Sequence, residues 1–158
     1  MGLPLHPLII HVVVVLVPLS ALGVILLLAF PRFVPNFSLL ILILLITSTT
    51  AGFIAANSGQ ALSNRVGYPG NHAQQGERLS KLILLFTLLY IIWFVIYRKN
   101  IKFKSADNLL KRGLSVLLLL AAIASTTFTL LVGHSGAKVT WGDRIRASSD
   151  VTLTDSST

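Results

Sequence analysis

The sequence predicts an all-α fold, a bundle of four transmembrane helices, from its composition and from four apolar runs. Of its 158 residues, 54% are hydrophobic and 11% are charged, and the mean hydropathy is +0.81. Soluble domains carry roughly 25% charged residues. Each apolar run has close to the roughly 20 residues that a helix needs to cross a bilayer. We therefore expect the lipid bilayer to be the solvent of most of the chain.

The four predicted spans cover about residues 8–30, 37–57, 79–97 and 113–133. The first lacks a basic leader and a small-residue cleavage signature, so we expect a retained helix and not a signal peptide. Pro18 lies inside it and predicts a kink. Pro31 and Pro35 separate the first two spans, because proline ends one helix and is accepted in the first turn of the next.

Charge predicts the orientation and the domain limits. The loop after the third span is rich in cations: Arg98, Lys99, Lys102, Lys104, Lys111 and Arg112. Asp107 is its one acid. Basic loops stay in the cytoplasm, so both termini are predicted outside. Residues 1–146 are predicted to form the transmembrane domain, and residues 147–158 a flexible polar tail.

The ends of the second and fourth spans resemble each other. Residues 46–50 (ITSTT) precede Asn57-Ser58-Gly59 by six residues, and residues 123–127 (IASTT) precede His134-Ser135-Gly136 by the same spacing. This pattern predicts two parallel helical-hairpin repeats related by an axis along the membrane normal. Gly59 and Gly136 are predicted to end their helices in left-handed backbone.

Composition also excludes several function classes. The chain has no cysteine, and its one methionine is Met1, which excludes disulfides, c-type haem attachment, iron–sulfur clusters and thiolate copper sites. The net charge of +8 is better explained by cytoplasmic loops than by nucleic-acid binding. No acid lies inside a predicted span, and no nucleophile–base pair is evident. We expect a protein that is not an enzyme.

The four histidines fall near one membrane face. His6 and His11 open the first span, His72 precedes the third, and His134 ends the fourth. Each has an ordinary explanation as an interfacial, loop or helix-terminal residue. His11 is the exception, because four valines follow it and an ionisable group in a span suggests function. Together they predict a bound metal or metallo-tetrapyrrole.

A planar b-type haem suits these histidines better than zinc does. Zinc needs three or four ligands in a tight tetrahedron, whereas His6 and His11 lie five residues apart, about 140° around a helix. Histidines that face each other from different helices are typical of haem. We expect His11 and His134 to be the axial ligands of the haem iron. His6 and His72 are predicted to form a second pair or to support the first.

Two motifs carry a family resemblance. Residues 5–11 (LHPLIIH) and 133–137 (GHSGA) resemble the bacterial membrane family called domain of unknown function 2231. That family is a four-helix unit that opens with H-P-x-x-x-H and ends with a G-H-x-G type motif. Some members accompany cytochrome or Rieske modules, so the resemblance implies a haem-binding redox subunit of the bacterial inner membrane. It covers residues 3 to about 142, with Val12-Val13 and Ala137 departing from the family pattern.

Three functions are compatible with this pattern. The favoured one is an electron-transfer subunit that binds haem b at the outer face and contacts a redox protein or a larger respiratory or photosynthetic complex. A chlorophyll-type pigment in place of haem is a variant of it. The alternatives are a structural subunit without cofactor and a protein that binds a metal ion through its histidines.

Overall fold

The residues that the structure describes form four long helices. The computed structural model describes the backbone of residues 5–66, 71–98 and 107–155, and the side chains of residues 9–58, 74–98 and 109–134. The elements are α1 (Leu5–Ala29), a 3₁₀ turn (Pro31–Phe33), α2 (Val34–Val66), α3 (Asn71–Arg98) and α4 (Asp107–Asp155). The described segments contain no strand, which confirms the all-α prediction.

All four predicted spans are confirmed as helices long and apolar enough to cross a membrane. They cover Ile9–Ala29, Pro31–Ser58, Gln74–Arg98 and Leu109–His134. Within each, between 28% and 39% of the residues are buried inside the chain. Large aliphatic side chains such as Val15, Leu117 and Leu131 are more than half exposed. A bundle that exposes so much apolar surface requires lipid around it.

Helices α2 and α4 continue past the residues at which we expected them to end. The predicted stops at Gly59 and Gly136 are wrong, because α2 reaches Val66 and α4 reaches Asp155. Glycine permits left-handed backbone without requiring it, and no proline follows either glycine before the helix ends. The backbone of residues 147–155 is helical, and residues 156–158 lie outside the described segments. The division into a domain and a flexible tail at residue 147 stays a prediction.

Each helix packs against the helices before and after it, and α4 returns to α1. Helices α2 and α3 are antiparallel, because Ser38 near the start of α2 contacts Tyr90 near the end of α3, whereas Gly52 further along α2 contacts Ser80 near the start of α3. Helices α1 and α4 are antiparallel too, because Val14 early in α1 lies beside Gly133 late in the α4 span. Phe30 N–H donates to Leu26 O at 2.8 Å and Phe33 N–H to Phe30 O at 3.0 Å, which closes the turn between α1 and α2. The bundle thus has a histidine end, with the N-terminus of α1, and a basic end, with the α1–α2 turn and Arg98.

The buried side chains of the core fall into two clusters, a bulky half with large aromatic residues and a half with smaller residues. Towards the basic end the core contains Phe86, Tyr90 and Trp93 of α3 with aliphatic residues of the other helices. Towards the histidine end its buried apolar residues are aliphatic, namely Val13, Val17, Ala51, Leu79 and Ile83, and Phe128 is partly buried against them. The buried apolar side chains are therefore larger towards the basic end than towards the histidine end.

Hydroxyl groups join α2 to α3 inside the apolar zone. Tyr90 Oη donates to Ser38 O at 2.8 Å, and the hydroxyl oxygens of Thr49 and Thr87 lie 2.8 Å apart. Such bonds have no competing water in a bilayer and contribute about 0.6 kcal/mol each on average. The small residue Gly52 on α2 also permits close contact between these two helices. A Cβ at Gly52 would lie 3.5 Å from Ser80 Oγ on α3, so the helix that packs closely against Gly52 is α3.

Candidate functional site

Helix direction brings the histidines to one end of the bundle. His6 and His11 lie on the first two turns of α1, His72 is the second residue of α3, and His134 lies on α4 where its span ends. The side chains of His6 and His72 lie outside the described residues, so their roles stay predictions. His11 and His134 are described and can be located relative to each other.

His11 and His134 lie on adjacent helices at nearly the same level. The reference point is Gly133, at which a Cβ would lie 3.7 Å from Val14 Cγ2. His134 is the next residue on α4. His11 is three residues before Val14, about one helical turn or 4.5 Å along α1. The two histidines therefore flank the same contact between α1 and α4.

Both histidines face away from the centre of the bundle, and both are exposed. Val13 on α1 and Thr129 on α4 point inward and are buried. Exposed aliphatic side chains lie about one turn further towards the middle of the membrane, with Val15 60% and Leu131 59% exposed. The two imidazoles thus border an apolar outer surface of α1 and α4 at the level where the spans end.

The interior beneath the histidines is filled with side chains. Val17, Ser48, Ile83, Ser125 and Thr129 each have no exposed surface. Val17 lies six residues and Thr129 five residues deeper than the histidine of its own helix, and at that depth a tetrapyrrole cannot enter between the described helices without displacing them. The donors therefore fit a group bound on the outer α1–α4 surface, and they do not fit a haem enclosed by the four helices.

The described side chains at the histidine end are too few to hold a metal ion without a tetrapyrrole. Among the described residues, no group of three or more His, Cys, Asp or Glu side chains is placed to hold one. A structural zinc ion needs about four ligands, whereas a tetrapyrrole provides four nitrogens itself and needs only one or two from the protein. The described residues at the histidine end fit the second requirement. The nearest described acid, Glu77, pairs with Lys81 at 2.7 Å.

The two repeats occupy similar environments but differ in their polar contacts. Ser48 and Ser125 are equivalent and fully buried. Ser48 Oγ donates to Leu44 O at 2.7 Å, whereas Ser125 Oγ has no hydrogen-bond partner among the described residues. At the membrane face, exposed Asn57 on α2 occupies the place of exposed His134 on α4. The repeat thus provides one imidazole and one amide.

Sequence reasoning missed a cleft at the basic end. A cleft of about 450 Å³ lies between α1, α3 and α4. Its walls include Trp93 and Tyr97 of α3 and Lys111 and Arg112 of α4. The signal was present, because aromatic residues and cations together mark a membrane interface.

Comparison with known proteins gives one match. No curated protein and no solved structure matches the chain. The family model described as a predicted membrane protein, DUF2231, matches residues 2–149. The match covers all four membrane-spanning helices and both histidine motifs. This four-helix chain therefore belongs to the DUF2231 family of predicted membrane proteins.

Proposed function

We propose that this protein is an integral membrane subunit that binds haem b through His11 and His134 and acts in electron transfer. The observation that carries the proposal is the position of these two histidines on adjacent antiparallel helices at one level. A tetrapyrrole needs only such a small number of protein ligands. When bound, haem would supply one-electron redox chemistry.

The surroundings of the two histidines support a group at the surface. The exposed aliphatic side chains one turn away, among them Val15 and Leu131, would contact an apolar ring face. The polar edge of the ring would reach water, because both histidines lie where the spans end. Arg78 of α3 is exposed at this end and is a candidate partner for a haem propionate. His6 and His72 are proposed as a second pair or as supporting residues.

A surface site also suggests how the subunit would work. An exposed haem edge permits electron transfer to a redox protein or to a larger respiratory or photosynthetic complex on the same side. The same geometry suits a chlorophyll-type pigment, whose magnesium also accepts one imidazole. A structural subunit without cofactor is the second candidate, favoured by the burial of Val17, Ile83 and Ser125, which have no exposed surface between the helices below the histidines.

Cofactor content distinguishes these candidates. The full chain is purified in mild detergent from cells grown with ample haem precursor, and haem, pigment and metals are measured per chain. We expect about one haem per chain, reduced severalfold in His134→Gln and retained in Asn57→Gln, the matched change at the equivalent repeat position. A chlorophyll-type pigment in place of haem would contradict haem binding and identify the protein as a pigment-binding subunit. Metal without any tetrapyrrole, or a colourless metal-free chain, would contradict the proposal, and the last would favour the structural subunit.

Orientation is proposed from the basic loop, with the histidine end outside a bacterial cytoplasmic membrane. The chain has no cysteine, so single replacements report each end without background. Asn57 on α2 and Arg32 in the 3₁₀ turn that precedes α2 are both exposed and lie at opposite ends of the bundle, which makes them suitable for Asn57→Cys and Arg32→Cys. We expect a membrane-impermeant maleimide to label Asn57→Cys in intact spheroplasts and to label Arg32→Cys only after lysis. The reverse pattern would place the histidines in the cytoplasm.

A further inference from the structure

The cleft at the basic end has the chemistry of a lipid site. Two of its lining residues, Lys111 and Arg112, are exposed cations. They lie two and three residues after the start of the α4 span at Leu109, which is the depth of lipid headgroups. On the opposite wall, Pro31 lies two residues after the end of the α1 span at Ala29 and is the first residue of the next span. The rim is therefore polar and lies at the membrane surface.

Below the rim the walls are apolar. Leu27 of α1 and Leu114 of α4 line the cleft about one turn further into the membrane. Trp93 of α3 forms one wall of the cleft. Its side chain is only 6% exposed, and its ring stacks on that of Tyr97 with the centroids 5.1 Å apart. A volume of about 450 Å³ lies within the range typical of ligand sites. It accommodates the upper part of an acyl chain.

Two other cations of this end are oriented differently. Arg32 lies over the Phe33 ring at 4.8 Å, and Arg98 lies over the Phe94 ring at 5.5 Å. Neither lines the cleft. Lys111 and Arg112 are thus the described cations that combine positive charge with the apolar cleft. The combination matches a phospholipid whose headgroup carries a net negative charge.

We propose that the cleft between α1, α3 and α4 binds one anionic phospholipid, with its phosphate at Lys111 and Arg112 and an acyl chain along Leu27, Trp93 and Leu114. Positive pockets between transmembrane helices select anionic headgroups over zwitterionic ones. The site is independent of the histidines, which lie at the opposite end of the bundle. Its occupant would hold α1, α3 and α4 together at the basic end.

Trp93 allows a direct test. The chain has two tryptophans, so Trp141→Phe leaves Trp93 as the only indole. The variant is reconstituted with lipids brominated on the acyl chain, which quench indole fluorescence on contact. We expect brominated phosphatidylglycerol to reach half-quenching at about a tenfold lower mole fraction than brominated phosphatidylcholine, as two cations near an anionic headgroup imply. Equal quenching by the two lipids would overturn the proposal without any further variant.

Charge variants locate the selectivity. Lys111→Gln with Arg112→Gln is expected to bring the two lipids within about twofold of each other. The matched control, Arg32→Gln with Arg98→Gln, removes two charges from the same end and is expected to retain the preference. An equal loss in both would indicate diffuse attraction and refute a cleft site. Loss of the preference on adding inorganic phosphate would show an anion site in place of a lipid site. Helical circular dichroism confirms that each variant is folded.

Discussion

Replacement of Tyr90 separates what its ring and its hydroxyl contribute to stability. The side chain is fully buried in the bulky half of the core, with its ring centroid 5.7 Å from Trp93 and 6.3 Å from Phe94. Its hydroxyl donates to Ser38 O on α2 at 2.8 Å. Ser38 O lies within a helix and keeps its position in the helical ladder if the hydroxyl is removed. The ring should therefore contribute more than the hydroxyl does.

The expected costs follow from those contacts. Tyr90→Phe removes one inter-helix hydrogen bond, and we expect it to lower the free energy of unfolding by about 0.6–1.5 kcal/mol. Tyr90→Ala also removes the ring from a closely packed site, and we expect a loss of about 3–5 kcal/mol. Reversible unfolding by sodium dodecyl sulfate in mixed micelles measures both values. Tyr97→Phe is the control, because Tyr97 is 42% exposed, and should change stability by less than about 0.5 kcal/mol.

Two results would refute this reasoning. If Tyr90→Phe cost as much as Tyr90→Ala, the hydroxyl and not the ring would be the main contributor. If Tyr97→Phe cost as much as Tyr90→Phe, the bond to Ser38 would have no special weight. Either result would mean that the packing of α3 against α2 differs from the one described.

Further predictions concern close contacts between helices. Gly133→Ala should be tolerated, because its Cβ would lie at an ordinary 3.7 Å from Val14 Cγ2. Gly133→Leu should separate α1 from α4 and lower the free energy of unfolding in the same assay by about 1–3 kcal/mol. Ser80→Ala removes a hydroxyl that lies 2.9 Å from Gly52 O on α2 and 3.0 Å from Gly76 O on its own helix, and it should cost about 0.6 kcal/mol. Ser125→Ala should be neutral or stabilising, since Ser125 Oγ has no partner among the described residues. Equal costs for the two serine variants would contradict the assigned hydrogen bonds.

Apolar run length predicted the number and place of the spans, because the bilayer imposes a minimum helix length that the sequence must satisfy. The same reasoning failed at Gly59 and Gly136. Helix ends in water depend on local capping, and a glycine alone does not decide whether a polar helix continues. Long polar extensions of α2 and α4 were therefore not predicted.

The candidate site was predicted only in part. Alternating helix direction implied that His11 and His134 share one end, and the structure places them beside the Val14–Gly133 contact. That both histidines point away from the core was not predicted, because the apolar run is nearly uniform around α1. Residues such as Val13 and Val15 are chemically identical, yet one is 5% and the other 60% exposed. In a membrane helix, hydrophobicity does not distinguish the lipid-facing side from the core side.

The most direct test of haem binding by His11 and His134 is the optical difference spectrum of the purified chain, dithionite-reduced minus oxidised. We predict a shifted Soret band with sharp α and β bands, typical of low-spin iron with two histidine ligands. In His11→Ala or His134→Ala these bands should broaden or vanish, while the helical content stays unchanged. A featureless spectrum from folded chain expressed with ample haem, or bands that survive both replacements, would contradict the assignment of the iron to these two residues.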